Sequence, residues 1–149
     1  MPDCTLREQL NKNRTLHRQL MHDLERREFL ETKATRLNAP LVQDKVKTSP
    51  EDRTTIMLAA LADLDTIIDA ERKRFEGLAA WSRNFFEDAD LEHEELEVMI
   101  RRYIDCLDWE EIAELMFWSK RTVQRLHGKA LEKLGRRWHA LSREKCDIV

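Results

Sequence analysis

The apolar positions of the first 37 residues recur at helical spacing, not in strand-like alternation. Leu6, Leu10, Leu20 and Leu24 keep alternating steps of four and three if Asn13 and His17 fill the middle positions. Leu16, Met21, Phe29 and Leu30 widen this narrow stripe slightly. The pattern predicts one long polar helix over residues 5–37. Ala39-Pro40 stops it, because the residue before proline disfavours the α region. Residues 39–50 read as a loop. Ser49-Pro50-Glu51-Asp52 is a restart signal, with a serine cap, proline at the first helical position and acids in the first turn. The helix it opens is expected to reach about Phe86. Along it Met57, Leu61, Leu64, Ile68, Glu71, Phe75, Leu78, Ser82 and Phe85 alternate the same two steps, a coiled-coil-like seam. Glu71 and Ser82 are its polar interruptions. Such a seam must be covered. We expect the first helix to fold back on it as a hairpin and a second subunit to complete it, giving a homodimer; an intramolecular bundle is the alternative.

Glu87, Asp88 and Asp90 form an acidic joint. Asp90 is placed to cap a helix from Leu91 to Cys106 whose buried face is Leu96, Met99, Ile100, Tyr103 and Ile104. Residues 103–134 then read as two helices around a tight turn. Asp108 and Glu111 form a capping box for the first, and Ile112, Ala113, Leu115 and Met116 supply its buried stripe. Ser119 caps the second, in which Val123, Leu126, Ala130, Leu131 and Leu134 share one face. The predicted fold is therefore all-α. A helical hairpin or coiled-coil segment for oligomerisation occupies residues 1–86, and a helix-turn-helix domain residues 87–149.

The outward face of the last helix carries Lys120, Arg121, Gln124, Arg125 and Lys129. Arginine forks onto guanine O6 and N7, and glutamine onto adenine N6 and N7. The early part of such a helix is the end that enters the DNA major groove, so Lys120, Arg121, Gln124 and Arg125 are candidate base readers. Lys129, Lys133, Arg136 and Arg137, further along, suit phosphate contacts. The formal net charge of −3 does not oppose this. Residues 117–149 hold nine Lys/Arg against three acids, whereas residues 86–116 hold twelve acids against two Arg. Affinity for DNA follows the local field at the contact face rather than the total.

The stretch RYIDCLDWEEIAELMFWSKRTVQRLHGKALEKL, from Arg102, resembles region 4 of bacterial sigma factors. More closely, it is similar to phage-encoded late-gene transcriptional regulators of the ArpU and RinA-like kind, through W-E-E-I-A, the serine at the turn, T-V and A-L-x-K-L. The resemblance implies a phage or prophage regulator that binds a specific double-stranded DNA sequence, and the seam of the second helix adds that it does so as a homodimer. It assigns recognition to Lys120, Arg121, Gln124 and Arg125, and the core to Trp109, Ile112, Ala113, Val123 and Leu126. Contact with RNA polymerase is a further implication. The chain departs from these relatives where they carry glycine in the turn. It has Met116-Phe117-Trp118-Ser119, and a non-glycine residue in a left-handed conformation costs about 1 kcal/mol. Gly128, inside the second helix, either permits a close backbone approach or marks the end of the groove-facing segment.

Composition narrows the alternatives. Three Gly, three Pro and abundant charge favour helices over sheets. No apolar run approaches the roughly 20 residues that span a bilayer, and Met1-Pro2-Asp3-Cys4-Thr5 lacks the form of a signal peptide, so a cytoplasmic protein without a membrane partner is expected. Cys4, Cys106 and Cys146 have no metal-ligand spacing, and His17, His22, His93, His127 and His139 form no HExxH motif. No nucleophile–base pair and no phosphate-cradling glycine loop is visible. The expectation is a protein that is not an enzyme and uses no metal or cofactor. Two other functions fit a helix-turn-helix joined to a helical segment: the DNA-recognition subunit of a viral genome-packaging machine, and a sigma-like factor associated with RNA polymerase.

Overall fold

In the computed structural model the described residues are 5–37 and 50–147, with side chains described for 5–36 and 52–143. They form five α-helices and no strand: α1 (Leu6–Leu37), α2 (Pro50–Asp88), α3 (His93–Tyr103), α4 (Trp109–Met116) and α5 (Lys120–Asp147). The all-α class expected from the periodicity is what these residues adopt. The Ala39-Pro40 stop, the 39–50 loop, the Ser49 cap, Cys4 and the side chain of Cys146 lie outside the described residues. The chain divides into two compact units, one of Met1–Thr15 with Phe75–Val149 and one of Leu16–Arg74. The boundary expected near residue 86 falls inside the first of these.

In the unit of residues 16–74, α1 and α2 run antiparallel. Arg27 pairs with Asp65, and Asp23 meets Glu71, so the numbering of the two helices runs in opposite directions. Leu20, Leu64 and Ile68 form a small buried core, with Leu24 and Leu30 against it. Here the seam of α2 is occupied by α1 of the same chain. Glu71 sits in that seam with only 6% of its surface exposed. Burial first, and then the neighbouring carboxylate of Asp23, raise its pKa above the ordinary carboxylate range.

The other unit has a larger core. Leu6, Leu10, Phe85, Phe86, Met99, Tyr103, Ala130 and Leu134 are buried together, and Trp138 and Leu141 pack on them. Trp81 stacks on Phe85 at 5.2 Å, and Trp138 stands edge-on to both rings at 6.1 Å. The polar interruptions of the two stripes answer one another. Asn13, fully buried, donates from Nδ2 to Ser82 Oγ at 2.9 Å and to the Tyr103 carbonyl at 3.2 Å. A buried amide without partners costs a few kcal/mol. Asn13 is therefore satisfied on its donor side only when α1, α2 and the end of α3 meet in this one register.

α3 begins later than the acidic joint suggests. Its N-cap is Glu92, not Asp90, because the Glu95 carboxylate accepts the Glu92 N–H at 3.2 Å. Its buried face includes Val98 and Glu95 beside Met99 and Tyr103, while Leu96, Ile100 and Ile104 are half-buried. The helix ends at Tyr103, and three residues on Cys106 turns left-handed at φ 57°.

Candidate nucleic-acid interface

The candidate interface comprises α4, the turn after it and the first half of α5. Asp108 and Glu111 close the capping box in both directions: Asp108 Oδ1 accepts the Glu111 N–H at 2.9 Å, and Glu111 Oε2 accepts the Asp108 N–H at 3.0 Å. The cap fixes the start of an eight-residue helix too short to persist alone. Packing does the rest. Ile112 is fully buried and joins Val98, Val123 and Leu126 in a second core cluster, flanked by Trp109, Ala113, Met116 and Trp118. Leu115, expected in the buried stripe, is 51% exposed, because the stripe of so short a helix is only Ile112 with half-buried Ala113 and Met116.

The turn takes the left-handed form despite the missing glycine. Phe117 has φ 57° and ψ 36°. Its N–H reaches the carbonyls of Ala113 and Glu114, and the Trp118 N–H bonds to Ala113 O at 3.0 Å. These bonds satisfy the last carbonyls of α4 in the manner of a Schellman motif. The Phe117 ring does not offset the strain, since it is 94% exposed. Trp118 packs against the core cluster instead and holds the turn down. Ser119 then caps α5: its Oγ accepts the Thr122 N–H at 3.1 Å.

Val123, Ala130 and Leu134 are fully buried and Leu126 nearly so. That orientation places Arg121, Gln124, Arg125, Lys129 and Arg136 in solvent. Arg121, Arg125, Lys129 and Arg136 are separated by four, four and seven residues, so they form one basic stripe about 22 Å long at 1.5 Å per residue. Exposed Glu132 interrupts it. Among the described residues, Arg121, Gln124 and Arg125 make no side-chain hydrogen bond or ion pair. Gly128 is exposed on the same outward side, and no atom lies within 4 Å of where its Cβ would be. Among the described residues it therefore makes no close approach to another helix.

Other expected contacts are engaged internally. Lys120 is exposed but bonds to Glu110 of α4, and that hydrogen bond lowers the Glu110 pKa. Lys133 donates to Glu95 Oε2 at 2.8 Å. Burial works against the Glu95 charge, yet the hydrogen bonds from Lys133 and the Glu92 N–H outweigh it and hold the carboxyl below its ordinary value. Arg137 lies 3.8 Å from Asp88. Of the residues assigned to DNA, Arg121, Gln124, Arg125, Lys129 and Arg136 thus share a free surface, while Lys120 is shared with α4 and Lys133 ties α5 to α3.

One half-buried joint between α3, α4 and α5 is not foreshadowed by the sequence pattern. His127 Nε2 and Tyr103 Oη lie 2.8 Å apart, and Trp109 meets the imidazole edge-on at 4.7 Å. The Arg102 guanidinium covers the Trp109 ring at 4.0 Å and donates to the Leu107 carbonyl. Burial, with the charges of Arg102 and Arg7, pushes the His127 pKa down to about 4. The imidazole is thus neutral at pH 7 and shares one hydrogen bond with the phenol of Tyr103. The available signal was the spacing of four from Val123 to His127, which puts the ring at the edge of the buried face. Among the described residues no cluster of three His, Cys, Asp or Glu side chains is placed to hold a metal. No helix among them is long and apolar enough to cross a membrane. Comparison with protein-family models, with curated proteins and with solved structures finds no match.

Proposed function

We propose that this protein is a sequence-specific, double-stranded-DNA-binding transcriptional regulator that acts as a dimer. In this reading α4 and α5 are the two helices of a sigma region 4-like helix-turn-helix, and α5 enters the major groove. One observation carries it. Arg121, Gln124 and Arg125 project into solvent without internal partners from the first turn and a half of a capped helix, opposite fully buried Val123. Long side chains with fork geometry, held on a rigid element and left unpaired, suit base-edge recognition. Lys129 and Arg136 extend the same stripe and bind phosphates. α4 supports the reading helix through Ile112 and through the Glu110–Lys120 pair. The resemblance to ArpU and RinA-like regulators points the same way.

Fluorescence anisotropy with labelled duplexes tests the reading. Binding at low salt is expected, with the logarithm of affinity falling linearly in the logarithm of salt as counterions are released. Absence of binding to random and genomic duplexes alike at low salt would overturn it.

A further inference from the structure

The seam of α2 faces α1 where the two pack, and the described residues leave a neighbouring face of the same helix uncovered. The residue before each seam position repeats the same alternation of four and three: Ile56, Ala60, Asp63, Ile67, Ala70 and Arg74. All of these residues are exposed, Ile56 at 65% and Ile67 at 50%. Among the described residues, neither Asp63 nor Arg74 forms an ion pair or a side-chain hydrogen bond.

The face is complementary to itself in one arrangement. With a second α2 laid antiparallel so that Asp63 opposes Arg74 of the copy, two-fold symmetry makes Arg74 oppose Asp63 of the copy as well. The same register sets Ile67 against Ala70 on either side of the axis. Sliding by one heptad removes the match between Asp63 and Arg74. Parallel pairing sets Asp63 on Asp63 and Arg74 on Arg74, which repels. A patch that matches itself about a two-fold axis is the form of an isologous interface.

We propose that this face of α2 is the surface on which a second copy of this chain packs, antiparallel, about an axis near residues 68 and 69. The inference names the pairing surface required by the dimeric part of the proposed function and uses none of its DNA contacts.

Sedimentation velocity of the full chain tests it, with circular dichroism confirming the fold of each variant. The wild type should sediment as a dimer at tens of micromolar. Asp63→Arg and Arg74→Asp should each be monomeric, because each homodimer would contain two like-charge contacts. An equimolar mixture of the two variants should dimerise, since every such contact then joins opposite charges. Ile67→Asp, at an exposed position, should also give a monomer and supplies the reading if Arg74→Asp does not fold. A monomeric wild type, single variants that dimerise like the wild type, or a mixture that stays monomeric would each overturn the proposal. Anisotropy on the same variants separates the two readings, because a monomer that still binds duplex DNA leaves the DNA-binding reading standing.

Discussion

Protonating His127 should loosen the joint between α3, α4 and α5, and the size of the effect follows from its surroundings. The ring is half-buried against Tyr103 and Trp109. Its pKa falls from 6.5 to about 4. A depressed histidine pKa means that the unfolded chain binds the proton more readily, so stability is lost as pH falls below 6.5 toward about 4. Every tenfold difference in proton affinity between the folded and unfolded chain is worth about 1.4 kcal/mol. Between pH 7.5 and 5 the loss comes to roughly 2 kcal/mol, an upper figure because the ring keeps partial contact with water. Above pH 7 the effect vanishes. His127→Gln retains a hydrogen-bonding partner for the Tyr103 hydroxyl but does not titrate. Urea denaturation of both proteins at pH 7.5, 6 and 5 isolates the histidine contribution, because the carboxylates common to both cancel in the difference. The wild type should lose its stability advantage as pH falls, whereas parallel pH curves would refute the assignment of a buried neutral imidazole.

Three further outcomes follow from local geometry. Phe117→Gly should raise stability by about 0.5–1 kcal/mol, since it relieves a left-handed residue whose exposed ring packs on nothing; a lower thermal midpoint would contradict the strain. Asn13→Ala should cost about 2 kcal/mol and Ser82→Ala less, because Asn13 Nδ2 keeps the Tyr103 carbonyl in the second case; a double-mutant cycle with no coupling would deny that the two side chains set the helix register. Lys133→Ala should lower the thermal midpoint more than Lys129→Ala, because it strips the buried Glu95 carboxylate of its cationic partner and leaves only the Glu92 N–H; equal midpoints would show that Lys133 is free in solution.

The helices were legible because their signals are local. Steps of four and three, the Asp108–Glu111 box and the Ser119 cap each act within a few residues and are met in the structure. The outward set of Arg121, Gln124 and Arg125 was equally legible, since the buried positions Val123 and Leu126 orient the whole helix. What the sequence hid depends on distant partners. Lys133 looks like any basic residue until Glu95, 38 residues away, is brought to it. Asn13 and Ser82 look like flaws in two separate stripes until they bond across 69 residues. His127 has no assigned surroundings until Tyr103 and Trp109 are brought against it. Leu115 looks buried until the helix proves too short to turn a second apolar ridge inward.

The central claim is that Arg121, Gln124 and Arg125 read base edges. Binding-site selection from a random duplex library, run on the wild type and on Arg125→Ala and Lys129→Ala, tests it most directly. The wild type should enrich one motif, in two half-sites if it binds as a dimer. Arg125→Ala should relax the preference at one position and cost about 1–3 kcal/mol on the selected site, whereas Lys129→Ala should weaken all sequences alike. Failure of the wild type to enrich any sequence would contradict the account, as would a changed motif with Lys129→Ala alongside an unchanged one with Arg125→Ala.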